Sequence, residues 1–414
     1  MLHAAFGMAS LLLVAWLLSE NRRAIAWRTV MVGLALQTGL ALVLIGIPAA
    51  NKVLMLFNHA AEALHHATTV GTTFVFGYLA GPPLPFAETR PGASFILAFQ
   101  ALPMVLTISA LAALLFHWGI LQRIVAGFAW LLRRLMGVSG PVALGAASHI
   151  FVGMVESPLL IRPYLARMQR GEMFALMSCG LAGVAGTVMV IYASFLNPIV
   201  PNALGNILIA SVISTPAALA VAAIMVPFGP TTETDSHLIL HDPPASAMDA
   251  LVKGTMDGIP ILAAILATLL VTIAMVTLVN MGLGQLPAWD GAPITLQRLF
   301  ALPFRPVMFL IGVPWAETAA AADLMATKTV LNEFIAYLNF SQAPADAYSA
   351  KTRMILTYAL CGFANFGSLG ILIGGLGMMI PERRREIVGL GMRAILAGTI
   401  ATCLSGAVAG AIAG

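Results

Sequence analysis

Eight apolar runs dominate this chain, at residues 4–18, 30–49, 95–116, 174–195, 205–227, 259–282, 354–379 and 387–412. Each approaches or exceeds the roughly 20 residues that a helix needs to cross the hydrocarbon core of a bilayer. No water-soluble interior could hold so much apolar surface: 60% of the 414 residues are hydrophobic, 9% are charged, and the mean hydropathy is +0.94. The chain therefore reads as an all-α polytopic membrane protein with eight transmembrane helices. The first run has no basic segment before it, and Arg22, Arg23 and Arg28 follow it in place of a small-residue cleavage site, so it reads as a retained span.

Placing both termini on the outer, periplasmic face makes the loops with Arg22/Arg23/Arg28, Arg123/Arg133/Arg134, Arg162/Arg167/Arg170 and Arg383/Arg384/Arg385 all cytoplasmic. That is the positive-inside pattern of a bacterial inner membrane. A pI near 9.1 follows from the same bias and carries no argument for nucleic-acid binding. Cys179, Cys361 and Cys403 fall inside apolar runs with no CxxC spacing, which points to packing and not to a disulfide or a zinc site. No GxxxxGK[ST], HExxH or GxSxG motif is present, so the usual sequence warrants for an ATP-driven pump or a hydrolase are missing. His59, Glu62 and His66 share a helical spacing on an amphipathic stretch, Leu54 to Thr69. They read as the wet face of an interfacial helix and not as a metal site.

Two further segments are apolar enough to enter the membrane yet are broken by Gly, Pro and carboxylates: 141–165, PVALGAASHIFVGMVESPLLIRPYL, and 303–338, which contains FLIGVPWAETAAAADLMATKTVLNEFIAYL. Interrupted helices leave backbone groups unpaired, which membrane depth tolerates only inside protein or beside a water-filled cavity. Both segments read as re-entrant hairpins broken at GMVESP and GVPW. Each precedes two spans, so the order hairpin, span, span occurs twice, entered from opposite faces as an inverted repeat. Such paired, interrupted segments mark a transporter's binding site near the midplane. Glu156 at the first tip and Glu333 in the second return arm are costly at that depth and are functional candidates; the alternative for Glu333 is an internal ion pair with Lys328. Glu317 and Asp323 are expected nearer the turn. CGLAGVAG and CGFANFGSLG place small residues at the same relative position in the spans that follow the hairpins.

HIFVGMVESPLLIRPYL, LIGVPWAE, KTVLNEFIAY and CGFANFGSLGILIGGLG resemble signature segments of the bacterial concentrative nucleoside transporters, in register along almost the whole chain. The resemblance implies a homotrimer of elevator type. Its subunit would divide into scaffold spans one to three (1–116), a first transport repeat (117–227), a cytoplasmic linker (228–257), scaffold span six (258–300) and a second transport repeat (301–414). It assigns the ribose hydroxyls of a nucleoside-like substrate to Glu333, Asn365 and Ser368, with Phe363 covering the apolar face. On the nucleobase side the family reads Gly-Gln-Thr-Glu where this chain has Gly153, Met154, Val155 and Glu156; Val188 matches the remaining base-side position. Losing two hydrogen-bonding side chains there costs a pyrimidine edge about 1–3 kcal/mol for each group left unpaired. The family's sodium site uses an Asn and a Ser with neighbouring carbonyls. Here those positions are His149 and Gly183, beside Val152 and Val184, so two oxygen ligands of a hard cation are gone.

The expectation is a symporter without cofactor or metal that imports nucleosides or ribosylated analogues, with a proton as coupling ion carried by His149, Glu156 or Glu333. The alternatives are sodium-coupled or facilitative nucleoside transport, a passive channel, and an intramembrane enzyme using Glu156 and Glu333 as an acid–base pair.

Overall fold

The computed structural model describes residues 2–87, 94–229, 244–344 and 346–413. Helices α1 (Leu2–Leu17) and α2 (Trp27–Gly46) open the chain, followed by α3 (Pro48–Phe76). The exposed side chains of His59 and Glu62 pair at 3.7 Å on α3. Part of the Gly/Pro-rich segment after it, residues 88–93, lies outside the described residues. A short α4 (Leu97–Gln100) leads into α5 (Met104–His117).

Next comes α6 (Ile120–Met136), which the sequence reading did not separate from its surroundings. Leu121, Val125, Ala129, Leu132 and Met136 form one buried stripe on it, while Arg123, Arg133 and Arg134 lie off that stripe. The first hairpin is α7 (Gly140–Val152) returning through α8 (Glu156–Leu160) and α9 (Arg162–Leu165). Ser148 and Ser157 hydrogen-bond across its arms at 3.0 Å, and Ser157 also donates to the Gly145 carbonyl.

The fourth expected span is a helix in two pieces, α10 (Arg170–Ala182) and α11 (Gly186–Leu196). Then α12 (Ala203–Met225) is buried on every side and forms the centre of the core. Of the expected linker, residues 230–243 lie outside the described residues. Its last part is corrected: α13 (Ala247–Leu283) has already begun, because the Ser246 hydroxyl caps the Asp249 N–H and Asp249 sits in the first turn.

The second half repeats the order. The amphipathic α14 (Leu296–Leu310) is followed by α15 (Thr318–Val330) and α16 (Glu333–Ser341). The expected hairpin over 303–338 is therefore shifted: the GVPW break separates α14 from α15, and the tip is Leu331–Asn332. Glu317 and Asp323 lie toward the base, not the turn, and Glu317 accepts from the backbone and hydroxyl of Ser349. The seventh expected span is again broken, into α17 (Ala350–Ala359) and α18 (Phe366–Met379), before α19 (Arg384–Ala413) ends the fold.

Among the described residues, six stretches are long and apolar enough to cross a membrane: Trp27–Gly46, Leu97–His117, Arg170–Leu196, Ala203–Met225, Ala247–Leu283 and Pro381–Ile412. The other two expected spans fall short. The 16 residues of α1 reach only about 24 Å, and the 354–379 run is divided at Cys361–Asn365.

Packing sorts the helices into two groups. α10, α12, α17 and α19 pack around one another, and α1 and α2 lie against α12 and α19. α1 and α2, expected with α5 in one scaffold unit, pack chiefly on α12 and α19. The Glu20 carboxylate between α1 and α2 holds Arg170 of α10 at 2.9 Å and Arg393 of α19 at 3.0 Å, and its N–H donates to the last carbonyl of α12, Met225. α5 instead packs along α13, where any side chain at Gly254 or Gly258 would run into Leu106, Ser109, Ala110 or Ala113. Much of the apolar surface of α13 stays exposed, as expected of a helix solvated by lipid or by another subunit.

Candidate functional site

Both hairpin tips and both helix breaks converge on one cavity of about 520 Å³. Val152 to Glu156 of the first tip, Asn332 to Phe334 of the second, and α11, α18 and the second break form one side. Leu102 and a stripe of α13 from Pro260 to Leu269 close the other. The cavity thus lies between the two packing groups.

The breaks are joined to each other. The Phe363 N–H, in the second, donates to the Gly183 carbonyl, in the first, at 3.2 Å. Asn365 then restarts the helix as the N-cap of α18, its Oδ1 accepting from the Ser368 N–H at 2.7 Å. Asn332 caps α16 in the same way through the Ile335 N–H at 2.9 Å, which places Glu333 in the first turn, where helix dipoles favour a carboxylate. Glu333 and Asn365 meet: Asn365 Nδ2 donates to Glu333 Oε2 at 2.8 Å. The Tyr192 hydroxyl donates to the other oxygen, Oε1, at 2.7 Å. A carboxylate offers about four acceptor positions, and these bonds use two of them.

The residues expected from the sequence on the ribose side, Glu333, Phe363, Asn365 and Ser368, all line this cavity, as do Gly153, Met154, Val155, Glu156 and Val188 on the other. Gly153 has φ +109°, and a Cβ there would lie 2.6 Å from the Glu156 carboxylate, so the tip requires glycine. Val155 packs against Gly375 of α18. The alternative ion pair between Lys328 and Glu333 is not made. Lys328 Nζ donates to the Ala359 carbonyl at 2.8 Å and to Thr402 Oγ1 at 3.1 Å.

His149 lies behind the first tip, 2% exposed, with its ring edge-on to Phe363 at 6.4 Å. Neither ring nitrogen makes a hydrogen bond of ordinary geometry, and the backbone of Gly153 and Gly183 lies beside the ring. Its Nε2 fills the space beside Gly183, where a Cβ would stand only 3.2 Å away. Ser211 of α12 holds the backbone of Val184 from the far side, accepting from its N–H at 3.2 Å. Of the four residues at the expected degenerate cation site, Val152 alone reaches the cavity; His149, Gly183 and Val184 lie beneath it. Among the described residues no group of three His, Cys, Asp or Glu side chains converges as a metal site would.

Sequence reasoning missed Tyr192, Asn332 and the α13 wall. Tyr192 carried a usable signal, because it follows Val188 by four positions and so shares its helix face. Asn332 also carried one, as the N-cap residue before a carboxylate. The α13 residues are aliphatic or Thr and carried none.

A many-spanned helical fold with a central cavity between broken helices is an architecture found in membrane transporters. Residues 6–79, 98–199 and 206–410 match the family models described as Na+ dependent nucleoside transporter N-terminus, Nucleoside recognition, and Na+ dependent nucleoside transporter C-terminus. The chain is 37% identical to an uncharacterized transporter of Haemophilus influenzae, covering 100% of this chain and 98% of that one. It is 32% identical to the nucleoside permease NupC of Helicobacter pylori, again over 100% and 98%. The structure of CNTnw in an inward-facing substrate-bound state superposes with a TM-score of 0.90 at 35% identity, covering 100% and 99% of the two chains. The chain belongs to the bacterial concentrative nucleoside transporter family. The family and its structural neighbours are nucleoside transporters, not enzymes.

Proposed function

We propose that the chain is a proton-coupled symporter that imports nucleosides or ribosylated analogues across the bacterial inner membrane. Substrate ribose is held by Glu333, Asn365 and Ser368, and the base faces Met154, Val155 and Val188. The observation that carries the ribose assignment is the Glu333 carboxylate, 4% exposed, bonded by Tyr192 and Asn365 with acceptor positions left at the cavity. Two adjacent ribose hydroxyls supply the two donors such a group still accepts. The wall from Gly153 to Val188 offers an apolar base edge in place of the family's Gln and Thr, which suits purines or modified bases better than uracil or cytosine.

Proton coupling rests on His149 and Gly183. A buried imidazole, with only backbone beside its nitrogens, occupies the space where sodium-coupled members have side-chain oxygens, and imidazole nitrogen suits a proton far better than a hard cation. A mobile body of the hairpins, α10–α12, α17–α19, α1 and α2 would slide along a stationary α5–α13 pair, with the cavity at the sliding surface and the exposed face of α13 meeting other subunits of a trimer. The hairpins are re-entrant, their tips near the midplane, and the halves are inverted repeats.

Calorimetric titration of purified protein with adenosine, 2′,3′-dideoxyadenosine and adenine tests the site. Adenosine should bind and both analogues should bind at least about tenfold more weakly, each lost hydroxyl contact being worth roughly 1.5–3 kcal/mol at a charged acceptor. Equal affinity for all three, or Glu333→Gln leaving adenosine binding intact, contradicts it.

A further inference from the structure

Lys328 is fully buried, two residues before the end of α15, yet it pairs with no carboxylate. Its partners explain its position. In an unbroken helix the Ala359 carbonyl would accept from the N–H four residues on, that of Phe363. Phe363 gives its N–H to Gly183 instead, so the helix break leaves Ala359 with a buried, unpaired oxygen at the negative end of α17. Lys328 Nζ takes that place at 2.8 Å. Its second partner is prepared for it: the Thr402 hydroxyl donates to the Thr399 carbonyl at 3.0 Å, which turns its lone pairs to the ammonium at 3.1 Å. The three groups bring together the second hairpin, the broken helix and α19.

We infer that Lys328 is a positioning residue for the substrate site, an internal cation whose ammonium replaces the missing peptide N–H and keeps the α17–α18 helix broken. The break sets Phe363 beside His149 and Asn365 against Glu333, so the ammonium acts on substrate through the break without touching it. In the first half a neutral arrangement does comparable work: Ser211 of α12 bonds both the N–H and the carbonyl of Val184. The first break is therefore held by a hydroxyl and the second by a charge.

The inference rests on the nucleoside reading for its binding measurement, so a second, ligand-free measurement accompanies it. Lys328→Ala leaves a slot shaped for a small alkylammonium, whereas Lys328→Met fills the slot without charge. Purified wild type and variants are titrated with adenosine and uridine, with and without n-propylammonium, using tetramethylammonium at equal ionic strength as control. Cys361, buried in the break, is followed by N-ethylmaleimide labelling and mass spectrometry. Lys328→Ala should bind nucleoside about 30-fold more weakly, the loss of one charge-assisted hydrogen bond, and label faster at Cys361. Propylammonium should reverse both effects and tetramethylammonium neither; Lys328→Met should be weak and beyond rescue.

Wild-type affinity and labelling in Lys328→Met would overturn the inference, leaving the side chain a filler, and so would a folded Lys328→Ala that propylammonium cannot rescue. Should Lys328→Ala fail to fold, Thr402→Val decides: it removes one acceptor and should weaken binding several-fold and speed Cys361 labelling, and no change in either overturns the inference. Wild type that binds neither nucleoside refutes the functional reading alone, because the labelling comparison still decides the role of Lys328.

Discussion

Tyr192 and Glu333, 141 positions apart in the chain, are joined by a 2.7 Å hydrogen bond that ties α11 to α16 in the wall of the cavity. With Asn365 on its other oxygen, Glu333 is fixed in orientation before any ligand arrives. A prearranged acceptor of this kind lowers the ordering cost of binding. Tyr192→Phe removes one anchor without changing shape. Adenosine affinity should fall about tenfold, roughly 1.4 kcal/mol, while the preference for ribose over dideoxyribose persists. Calorimetry of both ligands checks this, and an unchanged affinity would show that Asn365 alone orients the carboxylate.

The first hairpin tip makes a steric prediction. Gly153→Ala puts a methyl group against the Glu156 carboxylate in a backbone conformation that L-residues avoid. A cost of about 1–3 kcal/mol is expected. It should appear as a lowered unfolding temperature in detergent together with weaker nucleoside binding, because the strain falls on the binding surface itself.

Gly183 and His149 should behave as a unit. Gly183→Ser alone drives a side chain into the imidazole, so the single variant should be less stable than wild type. Adding His149→Asn removes the ring, so that the asparagine and the serine together supply two side-chain oxygens where the imidazole stood. The double variant should regain stability and bind nucleoside more tightly as sodium is raised at fixed pH. A double variant indifferent to sodium would contradict the account of the coupling site.

Between α1 and α2, the Arg170 hydrogen bond, reinforced by the charges of Arg170 and Arg393, holds the Glu20 carboxyl below the usual carboxylate range. A depressed pKa contributes stability above the unfolded group's value and loses it as pH falls through the folded one. Wild-type thermal stability should therefore decline on acidification through and below the ordinary carboxylate range. Glu20→Gln should start lower and decline less. Because the Glu20 side chain is partly exposed, the difference should be small and should shrink with salt.

Several of these features were legible in the sequence because chemistry marks them. Carboxylates and Asn inside apolar runs identified Glu156, Glu333 and Asn365, and Gly and Pro located the first hairpin tip. The second tip was displaced because GVPW is the stronger punctuation, while the actual turn at Leu331–Asn332 depends on an Asn cap that looks ordinary within KTVLNEF. The amphipathic α6 and α14 lie next to broken apolar segments and merged with them. The packing of α1 and α2 on α12 and α19 rests on meetings far apart in the chain, Gly33 against Pro216 and Ala220, Gln37 with Ser405 at 3.1 Å and Glu20 with Arg393, which no local pattern encodes. Lys328 stands five positions before Glu333 and suggests an ion pair, but the carbonyl left free by a helix break takes its ammonium instead.

The central claim, nucleoside uptake driven by protons through His149, is tested most directly by accumulation of labelled adenosine in proteoliposomes. An inward proton gradient is imposed with sodium absent, then a sodium gradient at equal pH on both faces. Accumulation above the external concentration under the proton gradient alone, abolished by a protonophore and by His149→Ala, is the predicted result. Accumulation that requires sodium and ignores the proton gradient would contradict it.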